Sequence, residues 1–116
     1  MANYMLLIYG DESEWARLTP DQLSAEMGAY FAYTEELAKA GVLVGGDELH
    51  PVATAKTLSL SGGKQKVVDG PFAETKETLG GYYMVNVESI EEALKWAAKC
   101  PGAKYGRIEV RPVVMR

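Results

Sequence analysis

The chain is predicted to form one α+β domain, in which two helices pack on one face of an antiparallel sheet. Its 116 residues are enough for one hydrophobic core, whereas two domains would each be marginal. Short apolar segments typical of strands alternate with two segments of helical periodicity. No linker, repeat or low-complexity tract interrupts this order. Residues 1–116 are therefore predicted to be a single domain.

The first strand and the first helix carry the clearest local signals. Tyr4–Tyr9 is an apolar run of strand formers that ends at Gly10. A helix is predicted over Pro20–Ala40, because Thr19 and Gln22 have the spacing of a capping box around a proline at the first helical position. One face of this helix carries residues at alternating four- and three-residue steps: Leu23, Met27, Tyr30, Thr34 and Leu37.

The middle of the chain is predicted to contain only strands. Val42–Val44 is a short apolar segment that ends at two glycines. Lys56–Ser61 and Lys64–Val68 are separated by Gly62 and Gly63, which indicates a hairpin with one solvent-facing side. Tyr82–Val87 is a further strand.

A second helix and a last strand complete the pattern. Ser89 and Glu92 have capping-box spacing, and Pro101 stops the helix whose apolar face contains Ile90, Ala93, Leu94 and Ala97. Arg107–Arg111 alternates strictly between polar and apolar residues, as a half-buried strand does. The resulting order predicts the βαββαβ, ferredoxin-like fold.

Two helices cover only one face of such a sheet. The opposite face is predicted to combine aromatic residues, methionine and charges, from Tyr82, Met84, Asn86, Arg107, Glu109 and Arg111. Such a face is either solvated, which is common, or packed against a second copy of the chain. We favour the second copy and therefore predict a homodimer.

Composition excludes several classes of protein. The formal net charge of −4 argues against a dedicated nucleic-acid binder, and no stretch approaches the roughly 20 apolar residues of a membrane span. The only cysteine, Cys100, and the only histidine, His50, are too few for a cysteine-rich or multi-histidine metal site. A carboxylate site for Mg²⁺ or Ca²⁺ stays open, although no loop has the ligand spacing of an EF-hand. We predict neither a bound metal nor a cofactor. The N-terminal segment lacks the features of a signal peptide, so a cytoplasmic location is expected.

The segment Asp69–Glu77, DGPFAETKE, carries the most specific motif. Together with Gly80-Gly-Tyr-Tyr-Met-Val and Ile108-Glu-Val-Arg-Pro112, it resembles the signature of the DGPF-domain family, a branch of the YCII-related superfamily. The resemblance covers nearly the whole chain. It implies a ferredoxin-like fold, a dimer of the α/β-barrel type and a small-molecule cleft near the segment Asp69–Glu77, which we call the signature loop. Genes of this branch often lie beside those of extracytoplasmic-function sigma factors, which implies a regulatory partner as an alternative.

One superfamily feature does not transfer to this sequence. YCII-related proteins typically pair a histidine on the first helix with an aspartate, and a dehalogenating lyase belongs to the superfamily. The first helix here contains no histidine, and His50 lies in a different place. His50 is either a general base or an ordinary surface or interface residue.

The signature loop offers both structural and chemical roles. Asp69 can fix the turn shaped by Gly70, Pro71 and Phe72, or it can act as a general base. The loop's other charged residues, Glu74, Lys76 and Glu77, can form solvated ion pairs. Alternatively, Lys76 binds an anionic ligand group while one of the two glutamates orients it or exchanges a proton.

Tyrosine and arginine residues near the sheet complete the candidate set. Tyr82 and Tyr83 are expected to pack first, with hydroxyl groups that reach the cleft. Arg107 and Arg111 can bind an anionic ligand, or they can pair with Glu109 or with a partner subunit.

The sequence thus predicts a small dimeric protein that binds a small anionic or phenolic molecule. Any catalysis would be cofactor-free acid–base chemistry of the lyase or isomerase kind. The alternatives are a non-catalytic regulatory partner of a sigma factor or another protein, and a plain structural dimer without a ligand.

Overall fold

The computed structural model of the chain describes residues 1–116, which form six strands, three α-helices and two 3₁₀ turns. The strands are β1 (Ala2–Gly10), β2 (Leu43–Glu48), β3 (Lys56–Ser61), β4 (Lys64–Asp69), β5 (Thr78–Val87) and β6 (Arg107–Pro112). The helices are α1 (Glu12–Ala16), α2 (Pro20–Lys39) and α3 (Ile90–Lys99). The 3₁₀ turns are Val52–Thr54 and Pro101–Lys104.

The main sheet has four strands in the order β2-β5-β1-β6, and all of its pairs are antiparallel. This arrangement confirms the predicted α+β class and is compatible with the ferredoxin-like fold. No helix has the length and apolar character required to cross a membrane.

The capping interactions explain where the two long helices begin. In α2, Thr19 Oγ1 accepts a hydrogen bond from Gln22 N at 3.1 Å, and Gln22 Oε1 accepts one from Thr19 N at 2.9 Å. In α3, Ser89 Oγ accepts a hydrogen bond from Glu92 N at 3.3 Å. Because these bonds satisfy N–H groups that have no partner within a helix, they fix both starts as predicted.

The hairpin is separate from the main sheet. Strands β3 and β4 pair only with each other and so do not belong to the main sheet. The strand that follows α2 in the main sheet is β2, which begins in the predicted Val42–Val44 segment and continues through Gly45 and Gly46. Every residue of β4 is exposed. Strand β2, by contrast, packs its Leu43 side against the core.

The core lies between the two long helices and one face of the sheet. Its fully buried members include Leu6 of β1, Leu37 of α2 and Val85 of β5. The opposite face of the sheet carries no helix, and its side chains, such as Met5 and Met84, are partly exposed. Burial is limited overall, because only 10 of the 116 residues are buried.

Candidate functional site

A cleft of about 900 Å³ lies at the end of the sheet where β1 finishes and β5 begins. Its walls come from α1, from the middle of α2, from β2 and from the turn at Pro101–Lys104. This cleft, the main cleft, is within the size range of small-molecule sites, which runs from roughly 300 to 1,000 Å³.

Aromatic side chains make up a quarter of the 28 residues that line the main cleft. Seven lining residues are aromatic, in a chain that has seven Tyr, two Trp and two Phe. They are Tyr9, Trp15, Tyr30, Phe31, Tyr82, Tyr83 and Tyr105. Clefts with walls of this kind are typical of sites for apolar or aromatic ligands.

A short hydrogen-bonded chain holds Tyr83 in place within the cleft. Thr34 Oγ1 donates to the carbonyl oxygen of Tyr30 at 2.8 Å and lies 2.8 Å from the hydroxyl oxygen of Tyr83. Either hydroxyl can be the donor in the bond between Thr34 and Tyr83, and in both cases the Tyr83 oxygen keeps a free lone pair. The ring of Tyr33 packs edge-on against Tyr83, with a centroid distance of 5.3 Å. The Tyr83 oxygen is therefore fixed and can accept a hydrogen bond from a ligand.

Burial keeps the ionisable groups beneath the cleft neutral. It raises the pKa of Tyr30, Tyr33 and Tyr83 above the ordinary value for tyrosine. It also raises the pKa of the Cys100 thiol, which is buried beside Tyr30. These phenols and the thiol therefore remain protonated near neutral pH, so none of them is an effective base or nucleophile there.

Glycine residues allow the edge of the sheet to approach this tyrosine closely. A Cβ atom on Gly46 would lie 2.8 Å from Tyr83 Cδ1 and 2.8 Å from the carbonyl oxygen of Tyr82. No side chain fits there without movement of β5. At Gly46 the wall formed by β2 is therefore backbone, which leaves the space beside Tyr83 open.

Five carboxylates line the main cleft: Asp11, Glu12, Glu14, Asp47 and Glu48. Asp47 Oδ2 accepts a hydrogen bond from the Tyr82 hydroxyl at 2.9 Å, and this bond raises the pKa of Tyr82. Glu12 Oε2 accepts from the backbone N–H of Val52 at 2.9 Å and so joins α1 to the segment after β2. Lysine, arginine and histidine are absent from the lining.

A second, polar depression of about 460 Å³ adjoins the main cleft. Asp11, Glu14 and Tyr105 line both spaces. The second depression adds Thr75, Lys76 and Glu77 of the signature loop, together with Arg107. Hydrogen bonds from Ser13, with a smaller contribution from Lys76, lower the pKa of Asp11. Arg107 Nε lies 3.5 Å from Glu77 Oε1.

The structure divides the residues predicted from the sequence into separate groups. Tyr82 and Tyr83 line the main cleft, whereas Lys76, Glu77 and Arg107 line the second depression. The remaining candidates line neither space: Asp69, Glu74, His50, Arg111, Gly70, Pro71 and Phe72.

Three of those outlying residues have defined surroundings. Asp69 Oδ1 lies 2.6 Å from Lys56 Nζ across the hairpin, and both side chains are exposed. Arg111 Nε lies 3.5 Å from Glu109 Oε2 on its own strand. Phe72 is 91% exposed and therefore has almost no contact within this chain.

Sequence reasoning missed the contribution of α1 and α2 to the cleft. The sequence predicts no element between Gly10 and Thr19, yet Glu12–Ala16 forms α1, with Asp11 as N-cap and Trp15 facing the cleft. A tryptophan within an acidic segment was the available signal. Thr34 and Phe31 gave no comparable signal, because both fit the pattern of an ordinary amphipathic helix.

Comparisons with known proteins agree with one another. The family model for the YCII-related domain matches residues 2–115. A protein of Rhizobium meliloti (strain 1021), described as uncharacterized, is 37% identical over 117 residues. That match covers 97% of this chain and 92% of the relative.

Proposed function

The chain belongs to the YCII-related domain family, and from this premise we propose that it binds a small molecule in the main cleft. The observation that carries the proposal is the cleft itself, about 900 Å³ with seven aromatic lining residues. A soluble protein has little reason to place that much aromatic surface around open space unless a ligand fills it.

An aromatic, phenol-like body suits this space better than an anionic one. The Tyr83 oxygen can accept a hydrogen bond from a phenol, and the surrounding rings can pack against its face. An anionic group would depend on Lys76 and Arg107, which line the second depression beside Asp11 and Glu77. Of the two predicted ligand types, we therefore favour the phenolic one.

The segment Asp69–Glu77 adjoins the proposed site through its C-terminal half. Thr75, Lys76 and Glu77 reach the second depression, which shares three residues with the main cleft. Asp69 at the start of the signature instead pairs with Lys56. We propose that Lys76 and Glu77 influence ligand binding and that Asp69 maintains the conformation of the hairpin.

Cofactor-free acid–base chemistry of the lyase or isomerase kind is a second candidate function. Its specific support is the bond between Asp47 and Tyr82, a carboxylate and a phenol 2.9 Å apart at the cleft. A carboxylate can serve as a base and a protonated tyrosine as an acid. Binding without turnover requires fewer groups and is the simpler proposal.

A second copy of the chain is the partner that we propose. The chain is less compact than a typical single domain, because its radius of gyration is 16.2 Å and a compact domain of this length has about 13 Å. The hairpin exposes Leu58, Leu60 and Val67 on one face, and the uncovered sheet face adds Met5 and Met84. Exposed apolar side chains grouped in this way are typical of a protein–protein interface.

Light scattering at micromolar concentration tests the dimer. We expect about twice the chain mass of 12.7 kDa, and a strictly monomeric mass would contradict the proposal. The regulatory alternative, binding to a sigma factor or another protein, predicts stoichiometric co-purification from the native host. The cytoplasmic location remains a prediction.

A thermal-shift screen of a metabolite library tests the binding proposal. Compounds that stabilise the wild-type protein are tested again on Trp15→Ala and Tyr83→Phe, which alter the main cleft. Tyr4→Phe is the matched control, because Tyr4 packs on the same face of the sheet but does not line the cleft. Stabilisation that survives both cleft substitutions would place the site elsewhere.

Two further variants test the role of the signature loop. Lys76→Ala is expected to change ligand affinity, because Lys76 lies beside the shared edge of the two spaces. Asp69→Asn is expected to leave affinity unchanged and to weaken only the contact with Lys56. Loss of binding in Asp69→Asn would instead favour the direct role predicted from the sequence.

A further inference from the structure

The charge around the main cleft is strongly one-sided. Its lining contains five carboxylates and no basic side chain, in a chain with 16 acidic and 12 basic residues. Composition alone does not produce this separation, because basic residues are nearly as common as acidic ones in the chain. The position of these carboxylates around a ligand-sized space therefore indicates the charge of the ligand.

None of the five carboxylates is neutralised by a close ion pair. The ion pairs within the chain involve other acids: Glu36, Asp69, Glu77, Glu92 and Glu109. Asp11, Glu12 and Asp47 accept hydrogen bonds from Ser13, Val52 and Tyr82, all of which are neutral donors. Glu14 and Glu48 have no side-chain hydrogen bond or ion pair within the chain. Glu48 lines only the main cleft, whereas Glu14 also lines the second depression, which contains Lys76 and Arg107.

The aromatic walls add a second preference for positive charge. The face of a tryptophan, tyrosine or phenylalanine ring attracts a cation, and the attraction grows as water is excluded. Trp15 lies on α1 beside Glu14, and Phe31 lines the cleft from α2 with 73% of its surface exposed. Carboxylates combined with open ring faces form the usual recognition chemistry for organic ammonium groups.

We infer that the main cleft selects organic cations, namely amines that carry an aromatic or similarly apolar body. This inference rests on the proposed function and adds to it the charge of the ligand. The apolar body packs among the aromatic walls, and the ammonium group lies near Glu14 and Glu48. A carboxylate ligand of the same shape is repelled by the same groups.

A charge-matched ligand series tests the inference. Three aromatic bodies, phenyl, 4-hydroxyphenyl and indol-3-yl, each carry an ethylamine, an ethanol or an acetate group. Dissociation constants are measured by two-dimensional NMR on the ¹⁵N-labelled protein at 50 mM and 500 mM NaCl. The amide signals of Gly45, Gly46, Gly80 and Gly81 report occupancy of the main cleft.

At 50 mM NaCl, we expect the dissociation constant of each amine to be about one tenth of that of the acetate with the same aromatic body, or lower. A tenfold ratio corresponds to a difference in binding free energy of about 1.4 kcal/mol. High salt should reduce this preference, because exposed charges are screened. The double variant Glu14→Gln and Glu48→Gln should remove most of the preference for the amine over the acetate. Glu88→Gln, at the far end of β5, is the exposed control and should have no effect.

The possible failures are distinguishable. Equal binding of amine, alcohol and acetate at the cleft would overturn the cation inference while supporting a small-molecule cleft. Tighter binding of the acetates would also overturn it. If no compound perturbs the cleft signals, the result counts against the proposed function as well as the inference.

Discussion

Replacing Tyr83 with phenylalanine removes the hydroxyl group that connects β5 to α2 across the cleft. That hydroxyl lies 2.8 Å from Thr34 Oγ1, which separately donates to the carbonyl oxygen of Tyr30. Because Thr34 keeps its bond to Tyr30, the substitution leaves no buried donor without a partner. The expected cost is that of one ordinary hydrogen bond, about 1 kcal/mol.

The same contact can be isolated with a double-mutant cycle. Thr34→Val removes both bonds of the threonine, and the double variant Tyr83→Phe and Thr34→Val removes the pair together. If the Tyr83–Thr34 bond carries the stabilisation, the two changes should be non-additive by about 0.5–1.5 kcal/mol. The edge-on contact between Tyr33 and Tyr83 persists in every variant, because phenylalanine retains the ring.

Thermal unfolding followed by circular dichroism measures this effect. For 116 residues, a loss of 1 kcal/mol corresponds to a fall in Tm of about 4 °C. Tyr4→Phe provides the control for removal of a tyrosine hydroxyl elsewhere on the same face of the sheet. Fully additive changes, or a Tyr83→Phe protein as stable as the wild type, would refute the hydrogen-bonded chain.

Three other substitutions or treatments give direct outcomes. Gly46→Ala should lower the free energy of unfolding by about 1–3 kcal/mol, because the new Cβ atom would lie 2.8 Å from atoms of β5. Gly45→Ala is the control, because its Cβ atom meets nothing within 4 Å, and it should cost less when both variants are unfolded in urea. Asp11→Ala should lower Tm at pH 7. Because hydrogen bonds from Ser13 lower the folded pKa of Asp11, its stabilisation is present above pH 3.8 and the difference in Tm should vanish as pH falls through that lower folded value. Cys100 is 2% exposed, and burial raises the pKa of its thiol. It should therefore react with iodoacetamide far more slowly in the native protein than in urea, and equally rapid labelling would contradict its burial.

Local sequence signals were sufficient to predict most of the fold. The capping box at Thr19, the N-cap at Ser89 and the alternation in β6 are properties of neighbouring residues, so the sequence predicts them directly. The predicted box at Ser89 is only half formed, because no bond joins the Glu92 side chain to Ser89 N. The course of β2 could not be read in this way. Gly45 and Gly46 normally indicate a turn, but both pair with β5, and Gly46 approaches Tyr83 too closely for a side chain.

The site was harder to predict because its residues come from distant parts of the chain. A motif and the alternation in the strands identify five residues that line either the main cleft or the second depression: Tyr82, Tyr83, Lys76, Glu77 and Arg107. The separation of these residues into an aromatic cleft and a polar depression depends on where α1 lies. Helix α1 has only five residues, too few for a periodic signal.

Hydrogen-bond acceptors occupy two parts of the main cleft, and this fact constrains the ligand more closely than its volume does. In the interior, the Tyr83 hydroxyl is held by Thr34 and presents an oxygen acceptor. Around the lining, Glu14 and Glu48 present carboxylate acceptors. A complementary ligand therefore carries donors at two separate positions: a hydroxyl or N–H directed toward Tyr83 and an ammonium group near the glutamates. Among the amines of the test series, the 4-hydroxyphenyl compound has both donors and should bind more tightly than the phenyl compound, an advantage that depends on the Tyr83 hydroxyl.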